Sequence, residues 1–397
     1  MKNKEQIIDS ILNRGVIVNI LPSKEEFKKL LLSEKKLRFY IGADTTGKSL
    51  HLSHAKNFML LEEFRQLGHK VFVLFGDVTA CIGDPSDRAS ARAKLTKEQA
   101  KENAASWVEQ IRGIINFDDK ENPAEVVFNS TWLEKLTITD TLELLSNATV
   151  QQMIERDMFQ KRIAENKPIH LHEFLYPMFQ GFDSVALDVD VEMCGTDQVF
   201  NALVGRDLLK KLRNKEKFII ANNLMENPKT GVLMSKSNNT GVFLGADAKT
   251  MFGQIMALPD EMIEILLINN TRVSLERIKT LEVENKPMEV KLFASKEVVK
   301  VFFGEKESLA AYDNFISTFS RKAFPVDAPL IKANQCKLQL LELVGLCMPS
   351  NSKSQNKRLI IEGAIKINGE KIADGEVEIN GSEQVQIGKR GFFRLEI

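Results

Sequence analysis

Two histidines stand three residues apart in H-L-S-H, His51 to His54. Just ahead of them runs GADTTGKS, Gly42 to Ser49, which fits the phosphate-loop pattern G-x-x-x-x-G-K-[ST] letter for letter. Such a loop needs a strand before it, a helix after it and a second strand ending in an aspartate for Mg2+. FYIG, the 54–67 segment and VFVLFGD with Asp77 supply all three, so a phosphate-loop hydrolase is one reading. The histidines support another. A helix start presents unpaired N–H groups and partial positive charge, and imidazole donors beside it would extend an anion site. Rings three residues apart share a helix face, which suits a transition state that gathers charge on phosphorus. They could also be two structural histidines. As metal ligands they lack a nearby third partner.

Three further groupings could do chemistry. In L-M-S-K-S, Leu233 to Ser237, Lys236 stands among Ser235, Ser237, Asn238, Asn239 and Thr240, bordered by Gly231 and Gly241. A lysine on such a polar loop can close over phosphates, or can simply be solvated. In YPMFQGFD, Tyr176, Gln180 and Asp183 follow steps of four and three. On a helix they present a phenol, an amide and a carboxylate on one face, a set that could hold a small amphoteric ligand with an aromatic part. Finally, GTDQ, Gly195 to Gln198, ends an expected strand, where α/β domains place ligands.

The surrounding pattern supplies the elements to position them. Residues 4–14 and 23–36 read as helices, the second with Ser23 as cap and Glu26 three residues on. LRFYIG, the helix with Phe58, Leu61 and Phe64 on one side, and KVFVLFGD make a strand–helix–strand unit, hence an α/β domain. A helix is expected over 97–116, a mixed and mostly helical region to about 180, then a strand in 184–198, a helix in NALVGRDLLKKLRN and a strand in KFIIANN. From 246 the pattern is helical, and FPVDAPLIK (324–332) reads as a linker. The tail opens with helices over 337–346 and 352–363, then alternates as strands through AIKINGEKI, GEVEIN and FFRLEI. Asn368-Gly369 and Asn380-Gly381 read as hairpin-type turns.

The chain has 397 residues, 54 basic and 54 acidic, so overall charge does not advertise a nucleic-acid binder. Composition, 43% hydrophobic and 27% charged, is that of a globular chain of two or three domains. Cys81, Cys194, Cys336 and Cys347 lack zinc-ligand spacing and read as buried thiols. MKNKEQIIDSILNRG lacks a signal-peptide core, and no apolar run reaches the roughly eighteen residues a membrane span needs; a cytoplasmic protein is expected.

Taken together, these motifs resemble those of the class I aminoacyl-tRNA synthetases, and more narrowly the bacterial-type tyrosyl-tRNA synthetases. The class's histidine pair is matched by H-L-S-H at 51–54 and its lysine loop by L-M-S-K-S at 233–237. Y-I-G-A-D-T-T (40–46), I-G-D-P-S (82–86), Y-P-x-x-Q-x-x-D (176–183) and G-T-D-Q (195–198) match the tyrosine-type landmarks, in order along essentially the whole chain.

The resemblance implies a Rossmann-like parallel-sheet catalytic domain over 1–245 with an inserted, mostly helical dimerisation region at about 115–180. It further implies a helical anticodon-binding domain at 246–330, and at 335–397 a small α+β RNA-binding domain resembling that of a ribosomal small-subunit protein. It implies activation of L-tyrosine by ATP, with Mg2+ accompanying the ATP and no tightly held protein metal, then transfer to the cognate tyrosine tRNA by a homodimer. Tyr40 and Asp183 would read the substrate phenol. Asp84, Tyr176 and Gln180 would hold its ammonium, with Asp44 helping to order the amino acid or ATP side. Thr46 would lie near the phosphates, Ser53 under the adenine and Asp197 on the ribose, with Gln198 bordering the tyrosine carboxylate. His51, His54 and Lys236 would be catalytic, with Ser237 beside the lysine. Lys353, Lys357 and Arg358, on one helix face, would meet tRNA phosphates, and Phe128 and Trp132 are apolar candidates for the dimer interface or plain core residues.

Two letters depart from the family. Ser53 stands where glycine is usual, adding a Cβ beneath the adenine, and Leu233 replaces the first lysine of the lysine loop, with Lys229 the neighbour placed to substitute. A tryptophan-specific relative is argued against by Tyr40 and Asp183, and by the tail. A synthetase-like RNA-binding protein without catalysis is argued against by the retained polar set.

Overall fold

The computed structural model describes residues 3–85, 95–234, 241–284, 286–320, 324, 328–333, 335–381, 383–388 and 391–396. The chain divides into two compact units, Met1–Leu309 and Ala310–Ile397.

The first unit is built on a six-stranded sheet of β1 (Ile17–Leu21), β2 (Arg38–Ala43), β3 (Lys70–Phe75), β4 (Glu125–Phe128), β5 (Val191–Gly195) and β6 (Phe218–Asn222). Their order is β1-β6-β5-β2-β3-β4, parallel from β6 to β4, with β1 antiparallel on the β6 edge. The parallel core is the Rossmann-like arrangement expected. β1 was not expected: it is partly exposed along most of its length, so it lacks the apolar run of a central strand. From β2 the chain winds out through β3 and β4, then returns to lay β5 on the opposite side of β2. The reversal opens a crevice at the carboxyl ends of β2 and β5.

Four helices shape that crevice: α1 (Leu52–Gln66), α2 (Lys97–Ile111), α3 (Leu175–Ala186) and α4 (Val199–Arg213). α1 buries the expected Phe58, Leu61 and Phe64. Phe64 stacks on Phe39 of β2 at 4.5 Å, and Phe27 meets both rings edge-on. α2 was expected to reach 116 but stops at Ile111, just before Gly113. α3 and α4 pack tightly where Gly181 faces Gly205: a Cβ on Gly181 would stand 3.1 Å from the Gly205 backbone nitrogen. The segment between β4 and α3 holds short helices, Ser130–Leu133, Ile138–Leu145, Val150–Ile154 and Asp157–Ala164.

Helices Ala248–Met256, Ile263–Asn270 and Leu275–Glu284 follow, as expected from the pattern after 246. The Arg14 guanidinium ties this region to the sheet. It donates to the carbonyls of Leu267, Ile268, Thr271 and Val273 at 2.8 to 3.2 Å, at and just beyond the end of the Ile263–Asn270 helix, where carbonyls lack intrahelical partners.

The second unit holds a five-stranded sheet and a two-stranded ribbon. β7 (Leu330–Lys332), β8 (Lys337–Gln339), β9 (Ile365–Ile367), β10 (Glu370–Lys371), β11 (Glu376–Glu378), β12 (Gln384–Ile387) and β13 (Gly391–Glu396) accompany helices α5 (Leu340–Cys347) and α6 (Lys353–Ile361). Leu343, Val344, Ile365, Val385 and Leu395 sit in its core. Three expectations change. Residues 337–339, expected as helix, form β8, pairing with β11 and burying Leu338 alone of the three. β12 was missed because it carries only two apolar residues, Val385 and Ile387. Asn368 and Gly369, both at positive φ, do make a two-residue hairpin between β9 and β10. Asn380-Gly381 instead joins β11 to β12, which lie in different sheets. The thiols also differ from expectation: Cys194 and Cys347 are buried, but Cys336 is exposed and Cys81 partly so.

Arg14→Met removes four charge-assisted hydrogen bonds. It is expected to lower stability by about 2–3 kcal/mol, read from urea denaturation, whereas exposed Lys24→Met should move it little.

Candidate active site

The stretch that fits the phosphate-loop formula lies between β2 and α1, and α2 holds its backbone. Asn103 Nδ2 donates to the Thr45 carbonyl at 2.7 Å, Trp107 Nε1 to that of Gly47 at 2.6 Å, and Ser106 and Gln110 to that of Lys48 at 3.0 and 2.8 Å. The Gln110 carbonyl oxygen accepts the Leu50 N–H, and Thr45 Oγ1 donates to Ala100 O, both at 2.8 Å. Lys48 is exposed, and the helix begins at Leu52, four residues beyond it, rather than at the lysine as a phosphate loop requires. Thr46 is also exposed, its N–H on the Asp44 carbonyl at 2.8 Å.

Asp44 leaves the end of β2 and enters the crevice. Its Oδ1 accepts from Thr79 at 2.6 Å and its Oδ2 from the Tyr176 hydroxyl at 3.0 Å. Gly76 makes room for this pair, since a Cβ there would lie 2.2 Å from Asp44 Oδ1 and 2.1 Å from Thr79 Oγ1. Burial pushes the Asp44 carboxyl up to about 7; the Thr79 bond pulls it down, Asp84 pushes it up, and the Tyr176 bond pulls it down again.

α3 carries Tyr176, Gln180 and Asp183 as the spacing predicts. Asp183 is almost fully buried, accepting from Trp132 Nε1 at 2.8 Å and more distantly from Asn129 Nδ2 at 3.4 Å. Burial raises its carboxyl well above the usual range against those two donors. Tyr40, also buried, meets Ser184 Oγ at 2.9 Å through its hydroxyl. Gln198 Nε2 donates to Asp84 at 2.7 Å and to Asp197 at 3.3 Å, while Asn201 bridges the carbonyl oxygens of Gln198 and Gln180 at 2.8 and 2.9 Å. The expected tyrosine-side residues therefore converge on one crevice, from β2, α3 and the end of β5.

The histidines stand at the start of α1. His51 is the N-cap residue, and the two ring centroids are 4.0 Å apart. The His51 backbone N–H points at His54 Nδ1, 3.4 Å away. Ser53 is half-buried in the same turn. Residues after the lysine segment pair back onto this point: Leu52 N–H donates to Val242 O at 3.0 Å, and Leu244 N–H to Leu50 O at 2.9 Å. At the start of the segment, Met234 N–H is bound to Met225 O at 2.9 Å. Lys236 and Ser237 themselves lie outside the described residues, as does Ser86 of I-G-D-P-S. Lys229 is paired with Glu261, so its charge is already engaged.

Several site residues had no sequence signal of their own. Thr79 and Asn129 are polar residues in apolar surroundings, and only the fold brings Asn129 Nδ2 to Thr79 Oγ1 at 3.0 Å. Trp132, considered for an interface, turns its indole N–H onto Asp183. Lys56, on α1, is buried, donates to the Asn223 carbonyl at 2.5 Å, and is pushed down to about 7 by burial, with Asp197 opposing. In the second unit, Lys353, Lys357 and Arg358 are exposed on α6. They do not form one stripe: Arg358 stands about 140° round the helix from Lys353 and is paired with Glu362 at 2.7 Å. Among the described residues, no group of three or more His, Cys, Asp or Glu is placed to hold a metal, and no helix is long and apolar enough to cross a membrane.

A family model described as tRNA synthetases class I (W and Y) matches residues 32–320. The tyrosine–tRNA ligase of Aquifex aeolicus (strain VF5) is 40% identical over 397 residues, covering 100% of this chain and 99% of the relative. That of Thermotoga maritima is 37% identical over 402 residues, covering 100% and 98%. Among solved structures, a C-terminally truncated mitochondrial tyrosyl-tRNA synthetase of Aspergillus nidulans has a TM-score of 0.66 at 20% identity, over 79% of this chain and 94% of that one. A tyrosyl-tRNA synthetase of Archaeoglobus fulgidus complexed with L-tyrosine has 0.60 at 17%, over 77% and 99%. The structural likenesses bear on the fold. Because the family model spans most of the chain and the sequence relatives align with it end to end, the chain belongs to the class I aminoacyl-tRNA synthetases, in the tyrosyl-tRNA synthetase family.

Proposed function

We propose that this tyrosine–tRNA ligase works by in-line attack of the tyrosine carboxylate on the α-phosphorus of ATP, followed by transfer to the terminal adenosine of its cognate tRNA. What supports this reading is the crevice at β2 and β5, where Tyr40, Asp44, Tyr176, Gln180 and Asp183 gather near a helix start that carries two histidines. Tyr40 and Asp183 would bind the substrate hydroxyl, and phenylalanine would leave them unpaired. Asp84, Tyr176 and Gln180 would receive the ammonium, with Asp44 behind Tyr176. His51 and His54 would stabilise charge at the α-phosphate, Asp197 would accept from the ribose, and Gln198 would border the carboxylate. Thr46, Ser53, Lys236 and Ser237 complete the ATP side. Positioning and electrostatics suffice, with no covalent enzyme intermediate. Mg2+ would arrive with ATP.

Lys353, Lys357 and Arg358 are proposed to meet tRNA phosphates, and the 246–330 region to face the anticodon side. A homodimer is also proposed. Its support is a set of exposed apolar residues in the segment before α3, Ile138, Leu142, Val150 and Leu171, the first and last each 82% exposed.

Pyrophosphate–ATP exchange measured with each of the twenty amino acids should respond strongly to tyrosine alone; exchange with tryptophan, or with none, overturns the reading. In that assay His51→Asn should lower kcat by about 100-fold, while Lys48→Ala should cost far less, because Lys48 is exposed ahead of the helix start. Asp44 sets a pH dependence. Its carboxyl loses its proton near 7 in the free enzyme and must be ionised beside the substrate ammonium, so KM for tyrosine should rise about tenfold from pH 8 to pH 6. Asp44→Asn should flatten that rise. For stability the sign is opposite: the proton held on folded Asp44 contributes fully below about pH 4, and the contribution is lost as pH rises through about 7. Sedimentation should find twice the 44.8 kDa chain mass, and Leu142→Glu with Leu171→Glu should return the monomer.

A further inference from the structure

The first turn of α1, which carries both histidines, is held from outside the helix. His51 is its N-cap, and Leu52 lies between His51 and Ser53. The Leu52 N–H, one of the four that a helix start leaves without an intrahelical partner, donates to Val242 O at 3.0 Å. The Leu52 carbonyl accepts from Asn270 Nδ2 at 2.9 Å. Both peptide groups around Leu52 are therefore fixed by residues that follow the lysine motif. Asn270 is buried and ends the Ile263–Asn270 helix. Its buried neighbour Asn269 forms a two-bond amide pair with Asn223, each bond 3.0 Å. Asn223 follows the last residue of β6, and its carbonyl accepts from Lys56 Nζ at 2.5 Å. Lys56 stands one turn beyond Leu52 on α1. The contacts close a ring that runs from Leu52 through Asn270, Asn269, Asn223 and Lys56 and back along α1.

Stability does not account for Asn270. In an α-helix a carbonyl accepts the N–H four residues on, which for Leu52 is that of Lys56. Asn270 meets the second lone pair of that carbonyl, so losing the amide would orphan no backbone group. The amide itself carries a cost, because its Oδ1 is buried with no hydrogen-bond partner among the described residues. A small apolar side chain would remove that cost. What the amide adds is direction. Asn270 holds the first turn of α1, and Lys56 ties the second turn to the end of β6. Two anchors one turn apart define the tilt of a helix, whereas one would let it pivot. The Asn269–Asn223 pair joins the two supports, so neither shifts without the other.

We propose that Asn270 and Lys56, joined through Asn269 and Asn223, are positioning residues that aim the histidine-bearing start of α1 for adenylate formation. This rests on the reading of His51 and His54 as catalytic. The tyrosine-side residues stand on β2, α3 and the turn after β5, and none of them belongs to the ring. Loss of an anchor therefore leaves the amino-acid pocket as it is and lets the first turn tilt. The histidines act on charge that develops in the transition state, so their displacement is felt in kcat rather than in KM for tyrosine.

The test is pyrophosphate–ATP exchange, with kcat referred to active sites counted from the burst of tyrosyl-adenylate. Four variants are compared: Asn270→Ala, Lys56→Met, the two combined, and His51→Asn as the reference. Asn270→Ala is expected to lower kcat per active site about tenfold, with KM for tyrosine within about twofold. Its urea midpoint should be unchanged or higher, because the unpaired Oδ1 goes with the amide. Lys56→Met should act on kcat in the same direction, and Asn269→Ala replaces it as the break in the ring if it does not fold. The combined variant should fall little below the slower single one, since the two anchors work as one support; effects that multiply would overturn the ring. A merely structural Asn270 would cost active-site count or urea midpoint and leave kcat per site intact, which would also overturn it. If His51→Asn lowers kcat while Asn270→Ala does not, the ring alone fails. If His51→Asn leaves kcat unchanged, the catalytic reading of the histidines fails and the ring with it.

Discussion

The pairing of β2 with β5 is the contact on which the site depends. These strands are far apart in sequence and adjacent only because the chain winds outward through β3 and β4 and then reverses. That adjacency sets Tyr40 beside Glu192, brings Asp44 and the 195–198 turn to the same end of the sheet, and leaves between them a crevice that no connecting segment crosses. α3 and α4 then cover one face with their glycines in contact.

Polarity in this crevice is arranged by partners more than by exposure. Asp44 and Asp183 are carboxylates driven toward their protonated forms by burial, yet each is met by donors: Thr79 and Tyr176 at the first, Trp132 and Asn129 at the second. The cost of burying each group is offset by bonds that also fix its direction. Two carboxylates held in this way are what the proposed binding of a neutral hydroxyl at one end and a cationic ammonium at the other would use.

Much of the architecture was legible in the sequence because it rests on local period. The apolar run of β3, the 3.6-residue stripe of α1 and the four-plus-three spacing on α3 are all written in neighbouring letters. Edge elements were not. β1 and β12 carry too few apolar residues to stand out, and β8 was hidden by the helix that follows it at once. The site divides in the same way. Residues inside motifs could be named at once, whereas Thr79, Asn129, Asn269 and Asn270 matter only for what they touch.

The hydrogen bonds from α2 to the loop after β2 carry a different lesson. Asn103, Ser106, Trp107 and Gln110 grip carbonyl oxygens, which every residue type possesses. The instructions for shaping that loop are therefore stored on the face of a helix about sixty positions downstream. At Gly47 and Lys48 the grip uses the carbonyl alone, so those letters are free to drift while the path stays put; Thr45 also commits its hydroxyl to Ala100 O. A change on the helix would redraw the path with every loop letter intact. A pattern written only in the loop, such as the phosphate-loop formula it happens to satisfy, is consequently a poor guide to what the loop does.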